Sequence, residues 1–191
     1  MVLLKRFAAL LLPLFFGSCV ATYRDFPREH AGQGSRSKPH GTLHYQIAKW
    51  PIISLGGEGA LYDFFQGKTG FQKTVRAVEA PSQGLYCLVD VQWRPLTGSA
   101  AVWSYISAIT MTFIPAYSGR EGYFVNYHLF IDGQKKQTYT YEITRKAGLW
   151  LGLLPFAWIN FLTYSEAEAF EATAFKFLAQ AELFFPKAPS P

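Results

Sequence analysis

Two alternating segments on either side of Asp132-Gly133 limit most strongly what this chain can become. Tyr123, Val125, Tyr127, Leu129 and Ile131 alternate with polar neighbours before the turn, and Tyr139, Tyr141 and Ile143 alternate after it. A period of two is the signature of a half-buried strand, and Asp-Gly is a strong hairpin turn. Parity then becomes decisive. A plain two-residue loop would set Tyr127 against Thr138 and throw the two apolar sets onto opposite faces of the hairpin. A three-residue loop, or a bulge beside the glycine, pairs Tyr127 with Tyr139 and Val125 with Tyr141, so that both sets enter one core. The bulged form is therefore expected.

The neighbouring segments extend the same picture. Leu43 to Trp50 alternates as a strand, Ala60 to Gln66 is expected to form a short helix with Leu61, Phe64 and Phe65 on one face, and Thr74 to Glu79 and Leu85 to Arg94 read as two strands joined by Ala-Pro-Ser-Gln-Gly. At the far end Ser165 and Glu168 have capping-box spacing, Phe170, Ala174, Phe177, Leu178 and Ala181 form one helical stripe, and Pro186 stops it. Strands followed by a packing helix predict an α+β domain over 42–186: a mainly antiparallel sheet with helices on one face, including the C-terminal helix, and a tail at 187–191. Cys87 falls within the alternation Leu85, Cys87, Val89, Val91 and is expected in the core.

The first residues carry a different kind of information. Lys5 and Arg6 precede an uncharged run from Phe7 to Phe16, too short to span a bilayer, which needs about 20 residues. The run ends in Phe16-Gly17-Ser18-Cys19: a large apolar residue, two small ones and a cysteine. This resembles the lipobox of bacterial lipoproteins. The resemblance implies that residues 1–18 are a signal peptide, that the Cys19 thiolate takes a diacylglyceryl group, that cleavage falls before Cys19, and that the freed amine is acylated. Three acyl chains of about 16 carbons, at about 0.8 kcal/mol per buried methylene, make an essentially permanent anchor. No aspartate follows Cys19, which within this class implies the outer membrane, facing the periplasm. Residues 19–41 then comprise the acylated cysteine and a flexible tether, since Arg24, Asp25, Arg28, Glu29, Arg36 and Lys38 sit among Pro, Gly and Ser.

With Lys5 and Arg6 removed, the net charge falls from +5 to +3. That charge is mild and dispersed, which argues against nucleic acid as a partner. Acylation of Cys19 would leave Cys87 as the one remaining thiol and no intrachain disulfide.

Two stretches contain no charged residue, between Arg94 and Arg120 and between Lys146 and Glu166. Pro, Gly, Ser and Thr interrupt the first, which is expected to be a helix leading into a buried strand that ends at Phe113-Ile114-Pro115. The second, Leu149 to Leu162, is broken by Gly152 and Pro155 and is too short to span. Its plain reading is a buried strand or packing turn beneath the sheet. Its functional reading is a contact with the membrane or with another envelope protein through Trp150, Leu154, Phe156, Trp158, Phe161 and Tyr164, because Trp and Tyr favour bilayer interfaces.

No catalytic signature emerges. Gly67-Lys68-Thr69 lacks the earlier glycine of a phosphate-binding loop, with Tyr62 at that position. Ser54-Leu-Gly-Gly-Glu-Gly59 could offer backbone amides to an anion, although a turn explains it as well. His40 and His44 are flanked by Gly41 rather than set on a helix, and Asp63, Asp90 and Glu79 have no visible partners. No catalytic residue, metal site or cofactor beyond the covalent lipid is expected. The reading is a lipid-anchored, non-enzymatic envelope protein with an interaction or structural role. An envelope hydrolase acting on peptidoglycan or lipid through Asp90, His128 or Glu142, and a carrier of an apolar ligand, are the rival readings.

Overall fold

The computed structural model describes residues 19–23, 41–51 and 54–185. The signal peptide read over 1–18, the tether from residue 24 to 40, Pro186 and the tail at 187–191 lie outside the described residues. Six strands, β1 (Cys19–Thr22), β2 (Thr42–Ile47), β3 (Lys73–Arg76), β4 (Leu85–Arg94), β5 (Ala116–Ile131) and β6 (Gln134–Leu149), form one sheet in the order β1-β6-β5-β4-β2-β3. Three α-helices, α1 (Gly57–Gly67), α2 (Gly98–Ile109) and α3 (Glu166–Ala181), and a 3-10 helix over Leu151–Phe161 accompany it. The fold is α+β, as expected.

The sheet, however, is mixed rather than mainly antiparallel. β2 pairs in parallel with both of its neighbours: Leu43 lies opposite Thr74 of β3 and opposite Leu85 of β4. A parallel pair needs a crossover between its strands, and α1 supplies one between β2 and β3. The passage from β3 to β4 is possible because β3 is only four residues long, about 13 Å at strand rise. Residues 77–84 can therefore return to the starting end without a second helix.

Residues 19–22, which the sequence places in the tether, form strand β1. Cys19 pairs antiparallel with Leu149 and Ala21 with Ala147. The described chain falls into two compact units, one of residues 19–23, 94–122 and 144–165, the other of residues 41–51, 54–93, 123–143 and 166–185.

The second unit holds a close-packed aromatic core. α1 buries Leu61, Phe64 and Phe65, and the Phe65 ring stacks on Tyr45 of β2 at 4.8 Å. α3 buries its whole predicted stripe, with Phe177 stacked on Tyr127 of β5 at 4.7 Å. The Tyr127 hydroxyl lies 2.8 Å from that of Thr173, whose own proton goes to the Phe170 carbonyl at 2.7 Å. Tyr127 therefore donates, and the buried phenol is satisfied. Cys87 is fully buried, and burial pushes its thiol far up, away from reactivity.

The hairpin reconciles a two-residue turn with a one-residue offset. Asp132 and Gly133 both lie in the left-handed region, at φ 51° and 74°. Yet His128 hydrogen-bonds Thr138 at 2.9 Å, and Thr140 donates to Asn126 at 2.8 Å. Those polar pairs share one face, leaving Tyr127 and Tyr141 together on the other with ring centroids 5.7 Å apart. The extra residue is absorbed within the strands and not in the turn.

The glycine-rich run at residues 54–59 does bind an anion, and the anion belongs to the protein. Glu166 accepts through Oε1 from the Leu55 amide at 2.9 Å, the Gly57 amide at 3.1 Å and the Ser54 hydroxyl at 2.9 Å, and through Oε2 from Tyr123 at 3.1 Å. A carboxylate is stabilised at a helix N-terminus, where amides point outward unpaired. Gly57 is what lets α3 come so close, since a β-carbon there would stand 2.4 Å from Phe170 Cδ2.

Candidate functional site

Every residue singled out for attachment or contact, from Cys19 to Tyr164, lies in the first unit. β1 is held along both edges. On one side it pairs with Lys146–Leu149 of β6. On the other, Ala21 donates its amide to Asn160 Oδ1 at 2.9 Å and accepts from the Thr163 hydroxyl at 2.9 Å, while the Tyr23 amide donates to the Tyr164 carbonyl at 3.1 Å. Directly paired residues in a sheet point to one face. Ala21 accordingly shares the face of Ala147.

The 149–162 stretch is neither a buried strand nor a packing turn. Residues Leu151–Phe161 form a 3-10 helix interrupted by Pro155, and not one of them is buried. A segment this apolar would bury a face if it could coil as an α-helix against a neighbour. Gly152 and Pro155 keep it in the tighter form, which seldom persists beyond a turn or so. Trp150, Phe156, Trp158 and Phe161 reach the surface, Phe161 being 89% exposed, and Leu154 and Tyr164 are half-buried. Gly152 shapes this surface: a β-carbon there would meet the Trp150 indole at 2.6 Å, so its absence lets that ring lie along the backbone.

The other uncharged stretch also departs from expectation. α2 forms, but the expected strand ending at Phe113-Ile114-Pro115 does not, and Phe113 and Ile114 are exposed. The helix itself is inverted: its one buried residue is Ser107, whereas Val102, Trp103, Tyr105 and Ile109 face outward. Met111 and Thr112 end it in left-handed conformations, at φ 51° and 61°, a costly geometry for a β-branched threonine. The turn aims the Thr112 carbonyl at the Leu151 amide, which donates to it at 2.9 Å. That bond joins the two uncharged stretches directly. No sequence signal marked α2 as part of the site; the absence of charge from residue 95 to 119 was visible, but not the direction its apolar side chains would take.

The first unit also holds a cleft of about 190 Å³ lined by Leu96, Ser104, Ala116, Ser118, Glu121, Arg145, Ala147 and Leu149. Pockets for drug-sized ligands span roughly 300–1,000 Å³, so this one is small for a carrier. Glu121 and Arg145 meet within it at 3.3 Å. Burial raises the Glu121 carboxyl above its ordinary 4.5, and the Arg145 charge opposes that rise.

The residues of the hydrolytic reading sit in the second unit on strands β4, β5 and β6. Asp90 accepts from Gln92 at 3.0 Å and Asn126 at 3.5 Å. His128 is held by Thr138, and burial with the nearby Lys135 charge lowers its pKa against the pull of Asp90. His44 contacts the Leu85 carbonyl at 3.3 Å. Lys68, of the incomplete phosphate-loop motif, pairs with Glu171 at 2.8 Å. Among the described residues no three His, Cys, Asp or Glu side chains gather as a metal site would require, and no helix is long and apolar enough to cross a membrane.

No protein-family model matches the chain, and no curated protein matches it. Among solved structures, a minor lipoprotein from Acinetobacter baumannii superposes with a TM-score of 0.36 at 12% identity, over 78% of this chain and 96% of that one.

Proposed function

We propose that this chain is a lipid-anchored envelope lipoprotein, acylated on Cys19 and held at the periplasmic face of the outer membrane, with a non-enzymatic structural or protein-interaction role there. The observation that carries the reading is the position of Cys19. It follows Phe16-Gly17-Ser18 directly, and it opens a strand bonded to the end of the exposed apolar segment through Asn160 and Thr163. A lipid on that sulfur would bring the most apolar surface of the first unit to the bilayer that holds it. Palmitate labelling in the presence and absence of globomycin tests the anchor. Wild type should incorporate label and accumulate as an unprocessed precursor under the drug, and Cys19→Ala should do neither. Labelling that persists in Cys19→Ala would remove the reading. Crosslinking of the wild type in intact envelopes then asks which protein stands beside it.

A further inference from the structure

The first unit displays apolar side chains where a water-soluble domain would hide them. Among the described residues, thirteen of the seventeen exposed large hydrophobic side chains belong to it, from Val102 and Trp103 on α2 through Phe113 and Tyr117 to Trp158 and Phe161. The two segments that carry them meet at the Thr112–Leu151 hydrogen bond. Exposed apolar side chains concentrated on two segments joined in this way mark an interaction site.

We infer that this surface is a second, non-covalent membrane-binding site: α2, the turn after it and the 3-10 helix lie in the headgroup and upper acyl region of an anionic bilayer. Three observations select lipid as the occupant. The aromatic contingent is Trp103, Tyr105, Tyr117, Trp150 and Trp158, the side chains whose apolar body and polar edge suit the bilayer interface. The charges on the first unit's described residues are unequal: Arg94, Arg120, Arg145 and Lys146 are basic and Glu121, paired with Arg145, is the one acidic residue, while Glu166 at the end of the second uncharged stretch belongs to the other unit. That excess complements phosphate-bearing headgroups. Finally, the strand carrying Cys19 is bonded to the same 3-10 helix, so an acyl chain would enter the bilayer from the same unit.

A lone helix lying in an interface needs a polar face turned to water. Here that role falls to the rest of the first unit, with Ser107 turned inward and the Trp and Phe side chains outward. The 3-10 helix and α2 bond internally, and the turn after α2 bonds to the 3-10 helix through Thr112 and Leu151, so these backbone groups are already paired when the surface enters the interface.

The inference deepens the anchored reading but does not require acylation, and the experiment separates the two. The chain from residue 19 onward, carrying Cys19→Ser and therefore no lipid, is floated with vesicles of phosphatidylethanolamine containing one quarter phosphatidylglycerol, and with vesicles of phosphatidylcholine alone. It should float with the anionic vesicles, bind the zwitterionic ones more weakly, and show tryptophan quenching by brominated lipid. Trp158→Ser with Phe161→Ser, and separately Trp103→Ser, should each lower partitioning on the order of ten-fold or more while thermal unfolding stays close to that of the parent. A folded parent that remains unbound by both vesicle types overturns the inference. So does binding that none of these substitutions weakens, or a stable dimer whose tryptophans brominated lipid cannot reach. Failed palmitate labelling with vesicle binding intact would remove the anchor and leave this site standing.

Discussion

Helices α2 and α3 are both rich in alanine and aromatic residues, and they use them in opposite ways. α3 turns Phe170, Phe175, Phe177 and Leu178 inward, where Phe177 meets Tyr127 and Tyr139 of the sheet and Phe175 meets Phe64 of α1. α2 turns inward only Ser107 and holds Trp103, 53% exposed, toward the outside. The contrast extends to the units that contain them. Among the described residues, Tyr23 and Ala116 are the buried hydrophobic residues of the first unit, and all the rest of the core belongs to the second. Apolar composition thus serves cohesion in one region and stays exposed in the other, where we propose contact, and the same residue type should answer differently to substitution in each.

The largest effect belongs to the second unit. Phe177→Ala removes a ring packed against two tyrosines and should cost about 3–5 kcal/mol, read from urea unfolding. A loss below about 1 kcal/mol would mean that this core is loosely packed and the contrast overdrawn.

A smaller effect tests the first unit's buried charge. Burial raises Glu121 above its ordinary 4.5, so its contribution is most favourable below that value and is lost as pH rises through the raised one. Wild type should therefore lose ground to Glu121→Gln as pH rises from 4.5 through the raised value in paired unfolding measurements. The opposite slope would make Arg145, rather than desolvation, the dominant neighbour.

The smallest effect sharpens the comparison most. Phe161→Ser, at a position 89% exposed, should change stability by no more than about 0.5 kcal/mol, in the same unfolding assay that registers Phe177→Ala. A large loss there would make the 3-10 helix structural and undo its assignment to contact.

Short-range periodicity carried the second unit almost completely. The stripe of α3, the faces of Leu61, Phe64 and Phe65, the strand Leu85–Arg94 and the one-residue offset of the hairpin all follow from spacing, since each is a local pattern meeting a single core. What escaped depends on partners far away in the chain. The parallel placement of β2 needs α1 to cross over and β3 to be short. The anion for the glycine-rich run is Glu166, 109 residues beyond Gly57. In the first unit the rule that apolar residues point inward itself misled: it turned Phe113, Ile114 and the 149–162 stretch into core, whereas the fold leaves them unburied. β1 was illegible because Cys19–Thr22 has little strand signal of its own and takes its form from Lys146–Leu149, Asn160 and Thr163.

That last arrangement has a consequence in time. Ala21 is bonded to Asn160, 139 residues later, and to Thr163, 142 residues later. Loops of that size close late, after the local helices and hairpins that they join. A chain emerging N-terminus first therefore presents Cys19 long before the strand's two neighbours exist, and the sulfur that we propose to carry lipid is open to chemistry before the strand around it can close.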